Sequence, residues 1–300
     1  MDSRTKSPKE ETLSPRLRSL KAALIDAIPC APDEEKARAD LASEPLAYVI
    51  KHYMAWIDRL ISKRPRRVEF ASDFWKDALP DHLLPRLADL MQVFTTGEDL
   101  SPYLSRYVQT HGYVQQLSKK RRGPAWADGG SGSLDFAVNM FDIHHFHFTP
   151  AHGGKRKGQS DALLFASVHR DNVRFLMVGD HKSFDSEALR KRAAAARHAE
   201  GMALKGVTAD QGLPDDIGHM LRRGLMVTDT VHGEAVPLGL TALDGTSLWT
   251  VRHVSKVMGL LHDYDAKLDT PTGRSEFANL MNVVDDLEGL NGSLSMATSA

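Results

Sequence analysis

The segment Asp142–Phe148, with the sequence DIHHFHF, constrains the fold of this chain more than any other. Its alternating histidine and aromatic positions are typical of a β-strand. Successive side chains of a strand point to opposite faces of a sheet. His145 and His147 should therefore share one face with Phe141, Ile143 and Thr149, and His144 should share the other with Asp142, Phe146 and Phe148.

Two apolar runs further along predict that this strand belongs to a small antiparallel sheet. Ala162–Val168 is continuously apolar, and Val173–Val178 returns after the polar turn Arg170–Asn172. Two such runs around a short polar turn predict a β-hairpin. The polar segment Gly179–Phe184 follows, and an alanine-rich helix is expected over residues 186–203.

The rest of the chain predicts helices and one more hairpin. Apolar residues recur at helical spacing over 17–28, 46–61 and 83–91, and a short helix is expected over 102–108. The basic cluster Lys63–Arg67 is interpreted as a solvated helix end and turn. Towards the C-terminus we expect a hairpin of Leu225–Val231 and Ala235–Leu240, and a long helix capped by Thr246 or Ser247.

These patterns predict an α+β fold, with a helical N-terminal half, a small antiparallel sheet in the middle and a mixed α/β C-terminal part. Composition changes divide the chain at Gly/Ser-rich and charged stretches. The expected units are a disordered tail (1–13), a helical region (14–118), an exposed basic and glycine-rich loop (119–135), a histidine-bearing sheet unit (136–205), a hairpin with a long helix (206–285) and a flexible tail (286–300).

Composition narrows the class of protein. The chain has 300 residues with 38 basic and 39 acidic side chains, which argues against a strongly basic nucleic-acid coat protein. Its one cysteine, Cys30, excludes an internal disulfide and fits a reducing compartment. We see neither a signal-peptide pattern nor an apolar stretch of about 18 residues, so a cytoplasmic protein without membrane contact is expected.

Charged and histidine side chains gather around the predicted strands, where two chemistries fit. Metal-free RNA cleavage needs a base, an acid and a cation for the charged phosphorane. His145 or His147 could be the base, His181 the acid, and Lys182 or Arg170 the cation. Alternatively, His145 and His147 with His181 or Asp180 could hold a divalent ion in a metal-dependent hydrolase. An HxH pattern alone is weak evidence for a metal, so no metal ligand and no cofactor are assigned.

A non-catalytic motif precedes the histidine strand. Leu134 and Phe136 have the spacing of the short peptide that bacterial proteins insert into the replication sliding clamp, although Ser131 stands where glutamine is usual. The simpler interpretation is that both side chains begin the core of the next element. The motif nevertheless gives a second hypothesis, a protein that blocks DNA replication by binding the clamp.

The blocks Asp142–Phe148, Ala162–Val168 and Gly179–Phe184, preceded by Gly97–Val108, resemble a bacterial toxin family of toxin–antitoxin or phage-defence modules. The resemblance covers about residues 65–190, and the loop at 155–160 departs from it. It implies a sheet similar in outline to barnase/RelE-type ribonucleases, a cognate antitoxin as partner, and a site at His144, His145, His147 and His181. The leading hypothesis is therefore a toxin that is a metal-independent endoribonuclease.

Overall fold

The architecture is α+β, as the sequence predicts. A computed structural model describes residues 13–77, 79–114, 136–151, 161–207, 227–239 and 246–276. In this part of the chain no helix is long and apolar enough to cross a membrane. The helices are α1 (Pro15–Ala27), α2 (Glu34–Ser43), α3 (Leu46–Ile57), α4 (Leu84–Thr96), α5 (Arg106–Thr110), α6 (Phe136–Phe141), α7 (Glu187–Ala199) and α8 (Leu248–Lys267).

Local sequence signals set several helix ends. The Ser14 and Ser186 side chains accept hydrogen bonds from first-turn backbone N–H groups of α1 and α7. The α4 helix ends at Gly97, whose φ of 79° is left-handed and suits glycine. The short α2 helix was not predicted, because it buries only Ala37 and Leu41 and so shows a weak apolar period.

The strands form one central sheet and two small pairs. They are β1 (Cys30–Ala31), β2 (Arg67–Phe70), β3 (Tyr113–Val114), β4 (His144–His147), β5 (Leu163–Val168), β6 (Asn172–Gly179), β7 (Val227–Val231) and β8 (Glu234–Gly239). The central sheet has the order β2-β6-β5-β4. Its β4, β5 and β6 strands are antiparallel and β5–β6 is a hairpin, which confirms the predicted sheet.

The fourth strand of this sheet begins at Arg67, the last residue of the basic cluster Lys63–Arg67 that is interpreted above as a solvated helix end and turn. Arg67 begins β2, which pairs in parallel with β6. Arg66 is buried, and its guanidinium donates hydrogen bonds to the backbone oxygens of His169 at 2.9 Å and Ser62 at 3.0 Å. The interpretation as a solvated turn is therefore wrong for Arg66, because its guanidinium donates to backbone carbonyls instead of facing water. Arg67 is exposed, as the interpretation requires, but it lies in a strand and not in a turn.

The histidine strand also begins later than predicted. Residues up to Phe141 are helical, and Asp142 has a φ of 57°, in the left-handed region that aspartate tolerates better than most residues. The extended part starts at His144. Phe141 and Asp142 therefore do not belong to the strand faces on which they were placed, whereas the alternation from His144 to His147 holds.

Each face of the central sheet is covered by helix. One face buries Phe146, Leu164 and Phe175 against α4, and the other buries Leu163 and Phe165 against α7. The α8 helix packs against α1 and α3 through a third group of apolar side chains, Leu17, Leu46, Ile50 and Val254.

The predicted C-terminal hairpin is present as β7 and β8. His232 and Gly233 at its turn have φ values of 51° and 83°, as a tight two-residue turn requires. Leu225, Met226 and Leu240, at the outer ends of the predicted strands, lie outside the described residues. Ser247 is the N-cap residue of α8.

Candidate active site

The two faces of β4 hold histidines in different surroundings. On one face, His145 and His147 are 8% and 6% exposed. The His145 ring stands almost perpendicular to Phe184, with 5.0 Å between ring centroids. His145 therefore packs as an aromatic side chain in the apolar layer between the sheet and the segment after β6.

His181 completes a group on this face, which we call the histidine cluster (His145, His147 and His181). The ring centroids of His145 and His147 are 6.2 Å apart, and those of His147 and His181 are 5.8 Å apart. His181 is exposed and begins a 3₁₀ turn that Asp180 caps. The sequence prediction that these three side chains lie close together is confirmed, and Lys182 is exposed beside them.

Protonation inside this cluster is strongly disfavoured at His145. Burial, with smaller contributions from the neighbouring His147 and His181, lowers the pKa of His145 to about 3. Its imidazole is therefore neutral near pH 7 and binds a proton poorly. The predicted role of His145 as a general base consequently has little electrostatic support.

Arg170 does not join the cluster. His147 pairs with Leu163, whereas Arg170 follows the opposite end of β5, beyond Val168. The five residue steps from Leu163 to Val168 span about 16 Å at roughly 3.3 Å per residue. The predicted cation at this position therefore lies at the far end of the hairpin.

His144 faces the other side of the sheet and lines a cavity of about 470 Å³, which we call the cleft. Four structural units contribute its polar groups: the end of α3, the α6–β4 junction, α7 and α8. The cleft is lined by Ile57, Asp58, Leu60, Val138, Asn139, Asp142, His144, Val168, Arg197, Met202, Ser247, Trp249 and His253.

The two carboxylates of the cleft are held in surroundings that disfavour their charge. Burial raises the pKa of Asp142, and the charge of Arg197 partly opposes this shift. Burial likewise raises the pKa of Asp58, which accepts a hydrogen bond of 2.9 Å from the Thr250 hydroxyl and lies near His253. Both side chains are exposed where they line the cleft, and the protein atoms around each carboxylate remove part of its hydration.

Arg197 supplies the buried positive charge. It is 8% exposed and donates hydrogen bonds to the backbone oxygens of Pro237 at 2.9 Å and Met140 at 3.5 Å. Among the described residues it forms no ion pair, although the charge of Asp142 acts on it. The carbonyl contacts hold the guanidinium in the wall of the cleft.

A smaller cavity shares Asp142, Arg197 and Trp249 with the cleft and is also lined by Ser167 and Glu200. The Ser167 hydroxyl and the Glu200 carboxylate both contact Nε2 of His169, at 3.1 Å and 2.9 Å. A nucleophile triad requires the serine and the acid on opposite ring nitrogens. This group therefore lacks the geometry of a serine hydrolase.

Two sequence hypotheses remain, the metal site and the clamp-binding motif, and the described residues say little about either. Among the described residues, no three histidine, cysteine or carboxylate side chains are arranged to hold a metal ion. Leu134 of the clamp-binding motif lies outside the described residues, and Phe136 is described only as the first residue of α6.

Sequence reasoning missed Asp58, Arg197, Trp249 and His253. Arg197 is one of four lysine and arginine residues of α7, and Asp58 and His253 resemble ordinary solvent-facing helix residues, so the sequence sets none of the three apart.

No family model, curated protein or solved structure matches this chain.

Proposed function

We propose that the protein is a metal-independent endoribonuclease whose active site is the cleft. One observation carries the proposal: the cleft brings together His144, His253 and the buried Arg197. Metal-free RNA cleavage requires this set, namely two groups that transfer protons and one fixed cation. The site thus moves to the face of β4 opposite the histidine cluster.

The histidines come from separate walls of the cleft. His144 begins β4, and His253 lies on α8 beside Asp58. In the proposed reaction one histidine takes the proton of the 2′-hydroxyl, and the 2′-oxygen attacks phosphorus. The bond from phosphorus to the 5′-oxygen breaks, and the other histidine protonates that oxygen. The products are a 2′,3′-cyclic phosphate end and a 5′-hydroxyl end.

Arg197 and the carboxylates support this chemistry. The guanidinium, fixed by the Pro237 and Met140 carbonyls, stabilises the negative charge that develops on the phosphorane. The Asp58 carboxylate lies near His253 in the same wall of the cleft and can orient a histidine there. Asp142, whose pKa is raised, adds less repulsion toward a phosphate than an ordinary aspartate would.

The biological role that we propose is that of a toxin with a cognate antitoxin. Its support is the resemblance of the strand blocks, and RNA cleavage is a chemistry by which such toxins stop growth. The alternative, blockage of the sliding clamp through Leu134 and Phe136, requires no cleavage, so the two hypotheses differ in what purified protein does to RNA.

The test is RNA cleavage by purified protein in EDTA. We expect cleavage with cyclic phosphate ends and a bell-shaped pH profile. His253→Ala should reduce the rate by about 100-fold or more. His262→Ala is the matched control, because His262 is also exposed on α8 but does not line the cleft. Activity that disappears in EDTA and returns with a divalent ion would favour the metal-dependent alternative.

Induced expression connects this chemistry to growth. Growth arrest should be lost in His253→Ala and kept in His262→Ala. Arrest that persists without RNA cleavage and is lost in Leu134→Ala/Phe136→Ala would contradict the ribonuclease proposal and support clamp binding.

A further inference from the structure

The exposed face of α8 next to the cleft carries an unusual combination of side chains. Trp249, Arg252, His253 and Lys256 follow the spacing i, i+3, i+4 and i+7, which places them on one side of a helix. The opposite side, with Val254 at its centre, packs in the core. All four side chains of this face are exposed, so a ligand can reach them.

Trp249 is the large aromatic side chain on this face. It is the second residue of α8 and is 45% exposed. Its side chain also lines both the cleft and the smaller cavity. The Arg252 guanidinium lies 5.9 Å from the centre of its ring. An indole that is accessible at the mouth of a cleft and accompanied by a cation is suited to stack on a planar, electron-rich ring.

The charge along the same face is positive. Between Leu248 and His262 the helix carries no carboxylate, whereas Arg252 and Lys256 are exposed. Four residues of helix separate these two cations by about 6 Å along the axis. A backbone of phosphates leading out of the cleft would meet positive charge at each of these positions.

We propose that Trp249 forms a nucleobase-binding subsite that selects single-stranded RNA for the cleft. An unpaired base stacks on the indole beside Met202, which also lines both cavities, and Arg252 and Lys256 contact the adjoining phosphates. Paired bases present no free ring face, so a duplex cannot use this subsite. The inference rests on the proposed ribonuclease function and names its substrate class.

Binding of a fluorescent 2′-O-methyl RNA tests the subsite without cleavage, because the blocked 2′-oxygen cannot attack. Trp249→Ala should weaken binding of the single strand by about tenfold, whereas Trp249→Phe should stay within about threefold of wild type. Trp75→Ala is the control, because Trp75 is 54% exposed and lines neither cavity. The matching RNA duplex should bind wild-type protein at least about tenfold more weakly than the single strand does.

Two results would overturn the subsite: unchanged single-strand affinity in Trp249→Ala protein with a wild-type Tm, or equal affinity for single strand and duplex. The proposed function can fail separately. If wild-type protein binds RNA through Trp249 but never cleaves unmodified RNA, the subsite stands and the ribonuclease proposal falls. If RNA is cleaved but Trp249→Ala changes neither binding nor rate, the reverse holds.

Discussion

The two faces of β4 use histidine in opposite ways. His145 and His147 lie in an apolar layer that suppresses protonation of His145, and only His181 at the edge of that group meets solvent. His144, on the same strand, lines a cleft with two carboxylates, a buried arginine and His253. Three histidines in four residues are therefore divided between two different surroundings, because strand alternation points their side chains to opposite faces of the sheet.

The two faces also differ in how their surroundings treat a charged side chain. A cluster of imidazoles raises the cost of charging any one of them, and burial raises it further. The cleft instead combines carboxylates, histidines and an arginine, whose different surroundings can separate their pKa values and so allow proton transfer between them. The predictions below test whether RNA cleavage depends on residues of the cleft, and whether the pH dependence of stability depends on the buried histidine cluster.

The largest effect is expected at the buried cation of the cleft. Arg197→Met should reduce RNA cleavage by about 100-fold or more, because the group that stabilises the phosphorane is lost. Arg192→Met is the matched control: it lies on the same helix, is also buried, and pairs with Asp73 and Asp77 outside the cleft. The control should lose stability in thermal unfolding and keep its rate per folded molecule. Full activity of folded Arg197→Met protein would contradict the assignment.

The second effect concerns how the buried His145 changes the stability of the protein as the pH decreases. The folded-state pKa of His145, about 3, lies below its ordinary value of 6.5. The unfolded chain therefore binds this proton first, and stability should fall as pH decreases from about 6.5 to about 3. One such proton contributes a slope of about 1.4 kcal/mol per pH unit. Urea unfolding of His145→Gln should show a shallower dependence over this range, and identical slopes would show that His145 is not the cause.

The third and smaller effect is on thermal stability and comes from Asp142 in the cleft. The pKa of Asp142 is raised in the folded state, so its ionisation costs stability as pH rises through that value, and below about pH 4 the cost is absent. Asp142→Asn removes the charge and still tolerates the left-handed backbone. Its Tm should exceed that of wild type at pH 7 and equal it at pH 3. A lower Tm at pH 7 would mean that attraction to Arg197 outweighs desolvation.

Local patterns in the sequence predicted much of the fold. The β5–β6 hairpin, the β7–β8 hairpin and the helices with clear apolar periods were all recognised, because each signal lies within a few neighbouring residues. The parallel strand β2 was not, because four residues beside a basic cluster carry little alternation. The end of α6 was interpreted as strand, because aromatic residues continue across the left-handed turn at Asp142.

The candidate site was predictable only in part, for the same physical reason. His145, His147 and His181 were expected to meet, since antiparallel pairing brings the ends of neighbouring strands together. The cleft depends on packing between distant segments: Asp58 and Thr250, which form one of its hydrogen bonds, are 192 residues apart. No periodicity reports such a contact, so His253 and Arg197 emerged only from the fold.

The most direct test of the central claim compares two histidines of one strand. His144 and His147 are 7% and 6% exposed and point to opposite faces of β4, so substitution of either by glutamine perturbs the strand to a similar degree. The measurement is the rate of RNA cleavage by each purified variant in EDTA, corrected for the folded fraction. We predict that His144→Gln loses about 100-fold or more and that His147→Gln retains the wild-type rate. Loss of activity in His147→Gln with His144→Gln fully active would contradict the account and return the chemistry to the histidine cluster.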